Sequence, residues 1–207
     1  MTNRSQKIWA VWTLALVVGW GEVNVLRAES ITAQIKETVD HVVEILKDPR
    51  LQAAGKKKDR RERLREVIAQ RFDFEEMAKR SLGQHWQRNA ARKGEFVPVF
   101  TRFVEESYVG SIESYKNEKI VYARERIDRD FAQVNTKVIT GKGDEIPIDY
   151  RLHSVGGEWK VYDVVIENVS LVNNYRSQFT RIITNSSYEE LLRRMKDKQI
   201  EVAGERK

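Results

Sequence analysis

An α+β fold, with a four-stranded antiparallel meander sheet packed against several helices, is predicted by three features of this sequence. Apolar residues recur at helical spacing up to Lys119, and the period switches to two immediately afterwards. The four alternating segments are joined by Asp128-Arg129-Asp130, Gly141-Lys142-Gly143-Asp144 and Gly156-Gly157, links short enough to imply neighbouring antiparallel strands. The last of these strands, 159–166, turns at Asn168 and runs directly into an amphipathic helix carrying Leu171, Val172, Tyr175, Phe179, Ile182 and Ile183. A sheet and a helix therefore share an apolar face that something must fill.

Residues 1–28 read as a signal peptide for export: Arg4 and Lys7, the apolar run 8–20, and Leu26-Arg27-Ala28 as a candidate cleavage site. That run is too short to cross a bilayer comfortably. Residues 29–207 then make a single domain, large enough for a real core. There are no cysteines, so no disulfide framework and no lipid-attachment thiol supports an exported product, and its stability must come from the core. The formal net charge of +6 drops to about +4 without the first 28 residues, a mild excess that suits an anionic partner without identifying one.

Residues 30–47 place Ile31, Ile35, Val39, Val42, Val43 and Leu46 on one helical stripe, which Asp48-Pro49 ends because a residue before proline avoids the α region. The charge-dense run 56–71 around Leu64, Val67 and Ile68 reads as a solvated helix face, with docking on acidic head groups or an acidic partner as the alternative. Asp73 with Glu76 three residues on resembles a capping box, ahead of Met77, Leu82 and Trp86. Residues 95–115 carry a long aromatic stripe through Phe96, Phe100, Phe103, Tyr108 and Tyr115. Pro98 requires that this helix either begin near Glu95 or kink. Strands follow at 120–127, 131–140, 145–155 and 159–166, and Ser187 with Glu190 opens a last helix.

A search for reaction chemistry finds little. His41, His85 and His153 are scattered over three elements with no ligand spacing, so no metal is expected. Gly110-Ser111 lacks the frame of a serine nucleophile, and the glycines form no phosphate loop. Asp149 and Asp163 are the best acid–base candidates, as carboxylates facing a cone-shaped pocket, against the simpler reading that they face solvent or pair with Arg151 or Lys160.

Three ordered motifs carry a resemblance: FDFEEMAKRSLGQHW at 72–86, EFVPVFTRFVEESY at 95–108 and EWKVYDVVIENVSLVNNYRSQF at 158–179. Together they resemble the MlaC or toluene-tolerance family of exported lipid-binding proteins, over nearly all of the chain after the signal. The resemblance implies an NTF2-like cone and a periplasmic, non-enzymatic phospholipid carrier that moves lipid between an outer-membrane lipoprotein complex and an inner-membrane ABC transporter complex. Some relatives are associated with hopanoid genes, so the cargo is a phospholipid or a related membrane lipid. No cofactor beyond that cargo and no nucleic-acid partner is expected. The sequence departs from the family pattern at Pro98 and in the charge-dense segment 56–65.

The composition suits that reading. A buried methylene is worth about 0.8 kcal/mol, so two chains of roughly 16 carbons represent on the order of 25 kcal/mol against water, yet almost nothing against another oily phase. The expected wall of an acyl-chain cavity comprises Phe74, Met77, Trp86, Phe100, Phe103, Tyr108, Tyr150, Leu152, Val161, Val172, Tyr175 and Phe179. A small α+β isomerase- or hydrolase-like enzyme using Asp149 or Asp163 is the alternative.

Overall fold

The computed structural model describes residues 29–202, so the expected signal peptide lies outside the described residues. The chain opens with α1 (Ile31–Lys47), α2 (Pro49–Gln52), α3 (Lys57–Arg71), α4 (Phe74–Leu82) and α5 (His85–Arg88), followed by a 3-10 turn and the long α6 (Lys93–Glu113). The sheet follows as β1 (Lys119–Asp128), β2 (Phe131–Ile139), β3 (Glu145–Val155), β4 (Glu158–Ile166) and β5 (Val169–Ser170), and the chain returns to helix in α7 (Leu171–Asn185) and α8 (Tyr188–Lys196). All strands are antiparallel, in the order β1-β2-β3-β4-β5.

The sheet thus has five strands where the sequence predicts four. Glu167 and Asn168 both adopt positive φ, 48° and 66°, and form a two-residue turn that folds Val169 and Ser170 back onto Ile166 and Val165. Ser170 then accepts from the Asn173 amide and caps α7, so strand, turn and helix start occupy consecutive residues.

Alternation along β4 also breaks. A simple period of two puts Val161, Asp163 and Val165 on one side, but Leu152 pairs with Val161 and Arg151 with Asp163, leaving Tyr162 as an extra residue. Beyond the bulge the register moves Val164 and Ile166 onto the side of Val161. A similar irregularity falls between Tyr122 and Arg124 of β1. The inward face that results is covered by α1 through buried Ile31 and Ile35.

Charged side chains fasten the helices. Glu125 of β1 accepts from both the amide and the hydroxyl of Thr32, at 2.7 and 2.6 Å, placing a carboxylate at the positive end of α1. Arg71 at the end of α3 donates to Gln34 of α1 and to the Trp159 carbonyl of β4. Most charged residues of the dense run are exposed, as a solvated face requires, but three arginines turn inward to α6. Arg60 and Arg61 grip Glu113 of α6 at 2.7 and 2.6 Å, and Arg65 reaches Glu105 at 3.2 Å.

Pro98 lies in the second turn of α6, which starts at Lys93 rather than near Glu95. Its missing N–H costs one helical hydrogen bond, offset by complete burial of Phe96 and Phe100 on either side. Asp73 and Ser187 do cap α4 and α8, but the partnering glutamates turn instead to basic residues, Glu76 to Lys79 and Arg80, and Glu190 to Arg193 and Arg194.

The Arg61 hydrogen bond, with Arg60 beside it, holds the Glu113 carboxyl below its ordinary range. Stability from this clamp is therefore present above the unfolded carboxylate range and is lost as pH falls through the lower folded value. Glu113→Gln is expected to cost about 2 kcal/mol at neutral pH. In urea titrations that difference should shrink progressively below about pH 4.

Candidate functional site

The inward sheet face closes unevenly. Paired residues lie on the same face, so the register divides it into rungs: Ile127–Ala132–Leu152–Val161, then Glu125–Val134–Tyr150–Val164, then Tyr122–Thr136–Ile148–Ile166, and finally Ile120–Val138–Ile146. In the first of these rungs Ala132, Leu152 and Val161 are buried and Ile127, on the edge strand, is exposed. In the last two only Thr136 is buried, and Tyr122, Ile148, Ile166, Ile120, Val138 and Ile146 stay half-buried although they point inward.

Two helices change in step with the sheet. In α1, Ile31 and Ile35 are buried, whereas Val39, Val42, Val43 and Leu46 are half-buried. In α6, Phe96, Phe100, Phe103 and Val104 are buried, whereas Tyr108, Ile112 and, just past its end, Tyr115 are half-buried. These loosened ends meet. Burial raises the Tyr122 phenol, and Tyr150, Asp40 and Tyr115 lie close enough for their negative forms to raise it further. Tyr150 is half-buried by exposure, yet burial pushes its phenol up to about 12. Tyr150 is surrounded by protein yet partly uncovered, which makes this end of the inward face a candidate recess.

The expected wall residues all belong to the main apolar cluster or pack on it. Phe100, Phe103, Tyr175 and Phe179 make their aromatic contacts with one another: Phe103 and Tyr175 meet edge to face at 5.3 Å, and Tyr175 stacks on Phe179 at 5.7 Å. Met77, Trp86, Leu152, Val161 and Val172 are buried. Phe74, Tyr108 and Tyr150 remain half-buried, and Tyr108 and Tyr175 share a hydroxyl contact of 3.0 Å across the α6–α7 seam. Sequence reasoning missed Tyr122, Ile148 and Ile166 as members of the recess, and also the far half of α1. Ile148 could have been found, because it alternates with Asp149 on the same strand as Tyr150. Tyr122 and Ile166 could not, because bulges reset their strands.

The two acid–base candidates lie off this face. By register Asp149 falls opposite Asn135, on the outward side, where Gln133 donates to it at 3.2 Å. Asp163 is buried but fully engaged: it accepts from Arg151 at 3.1 Å, from the Ser170 hydroxyl at 2.7 Å and from the Val172 amide at 3.1 Å, anchoring the start of α7. His153 is within 2.9 Å of Asp73 and edge-on to Tyr162, on the same outward side. No cluster of three potential metal ligands occurs among the described residues. A separate cleft of about 550 Å³ beside α2 and α3 is lined by Asp48, Arg50, Lys56, Asp59, Glu62, Arg63 and Glu66, with Leu51 its one apolar wall, and suits no hydrocarbon.

Known proteins resemble this chain over most of its length. A family model described as "MlaC protein" matches residues 36–197. The intermembrane phospholipid transport system binding protein MlaC of Haemophilus influenzae is 27% identical over 121 residues, covering 55% of this chain and 56% of that protein. The toluene tolerance protein ttg2D of Pseudomonas putida is 32% identical over 85 residues, covering 41% of this chain and 40% of its own. The chain thus aligns with about half the length of these curated relatives. A phospholipid-binding protein from Ralstonia solanacearum, solved in complex with a phospholipid, superposes with a TM-score of 0.72 at 24% identity, over 82% of this chain and 96% of that one.

The contrast between closed and loosened regions sets an expected order of mutational cost. Phe100→Ala, in the sealed aromatic seam, should lose about 3–5 kcal/mol in chemical denaturation. Ile148→Ala, on the recess, should lose about 1–2 kcal/mol, because part of its surface is already uncovered. Equal costs would show that the recess is as tightly packed as the seam.

Proposed function

The chain belongs to the MlaC protein family, and from that premise we propose that it is a periplasmic phospholipid carrier. Its acyl chains would lie between the inward sheet face and the far halves of α1 and α6, with the head group at the mouth. The observation that carries this reading is the shared loosening of three apolar faces at one end of the fold. A protein that filled its own interior would close those positions, because uncovered apolar surface forgoes about 25 cal/mol per Å². A hydrocarbon guest completes them. Exposed Lys47, Lys116 and Lys119 stand around the same end and supply cations for a phosphate.

The twelve wall residues divide by role in this proposal. Tyr150, Tyr108 and Phe74 offer accessible surface to the chains. Met77, Trp86, Phe100, Phe103, Leu152, Val161, Val172, Tyr175 and Phe179 back them as a second layer that hydrocarbon reaches if the seam opens. The names of the curated relatives, a phospholipid transport binding protein and a toluene tolerance protein, favour transport over catalysis. The geometry does likewise, since Asp163 is committed to α7 and Asp149 faces outward. As a proposal, residues 1–28 direct export, residues 29–207 form the one lipid-binding domain, and the carrier exchanges lipid with an outer-membrane lipoprotein complex and an inner-membrane ABC transporter complex.

Native mass spectrometry of protein purified under gentle conditions should show a bare and a lipid-loaded population. Ile148→Trp, which adds bulk inside the recess, is expected to keep the fold and reduce the loaded fraction several-fold. Wild-type protein that stays bare even after incubation with phospholipid vesicles would count against the carrier reading.

A further inference from the structure

The Tyr122 hydroxyl is buried and has no hydrogen-bond partner. The nearest hydroxyls are engaged with other partners. Thr136, directly opposite on β2, donates its proton to the Ile148 carbonyl at 2.6 Å, and the Tyr115 hydroxyl donates to the Glu118 carbonyl at 3.1 Å. A phenol left in this state is a standing cost that phenylalanine at the same position would not incur. A ligand that brings an acceptor to this hydroxyl removes that cost.

Position and charge narrow what that acceptor is. Tyr122 sits on the half-buried rung next to that of Tyr150, with Tyr115 and the exposed Asp40 close enough to act on its phenol. Asp40 is exposed on the mouth side and opposes a second anion at that depth. The rungs around Tyr122 are mostly apolar, and the charged group among them, Glu125, is an anion bound to Thr32, so a neutral carbonyl is accepted there far more readily than a charged phosphate. Burial and these neighbours keep the phenol protonated well above neutral pH, so it acts as a donor.

Resting on the carrier reading, we infer that Tyr122 is the polar anchor of the lipid site. Its hydroxyl donates to an ester carbonyl at the head of an acyl chain, so the site selects ester-linked diacyl lipids over ether-linked lipids of the same chain length and head group.

The test compares uptake from vesicles of diacyl phosphatidylglycerol and of its dialkyl ether analogue, by wild type and by Tyr122→Phe. Wild type should favour the ester lipid by roughly tenfold, the size of one buried neutral hydrogen bond, and Tyr122→Phe should abolish that preference. The lipid-free variant should melt at the same temperature as wild type or higher, since it loses an unpaired hydroxyl. Uptake of both lipids by wild type without preference, or a preference that survives in Tyr122→Phe, overturns the anchor and leaves the carrier reading standing. Failure of wild type to take up either lipid overturns the carrier reading and the anchor with it.

Discussion

Helical cover over the inward face of the sheet runs out before the face does. Ile31 and Ile35 of α1 seal the rungs around Val134, Leu152 and Val161, but Val39 to Leu46 of the same helix leave Tyr122, Ile148 and Ile166 partly open. The shortfall is not a matter of polar sequence, because the residues on both sides are apolar. Apolar surface on both sides is left incompletely covered at this end, and in the proposed function a hydrocarbon guest completes it at little net cost relative to a bilayer.

Contacts of another kind hold these elements in place. The glutamate–arginine contacts at Glu113 and Glu105 fasten α3 to α6, and the glutamate–threonine contact at Glu125 fastens α1 to the sheet. Asp163 does the same for α7, and Arg71 ties α1 and α3 to β4. The aromatic seam between α6 and α7 gives this frame a rigid side. Some of the charged side chains of this cysteine-free chain therefore act as structural bracing.

The fold was largely legible because its signals are local. Asp73 and Ser187 cap helices as their spacing suggests. The strands 131–140 and 145–155 fall within one residue of the observed β2 and β3. What escaped was the two-residue β5, hidden between a turn and a helix cap, and the bulge at Tyr162 that reverses the facing of the end of β4. A single inserted residue moves every later side chain to the other face, and nothing in a list of apolar residues marks where it falls.

The site was legible only as chemistry. The sequence by itself determined that the interior would be aromatic and aliphatic, that the acidic residues of the sheet would find basic or polar partners, and which segments would be helix or strand, because each depends on residues close along the chain. Only the tertiary structure decided which of those apolar residues seal against one another and which are left facing a recess. Phe100 and Tyr150 are equally apolar-facing in the sequence, yet one is enclosed by rings from a helix some 75 residues away and the other is not. Packing density is a property of distant segments meeting, so it appears only once they have met.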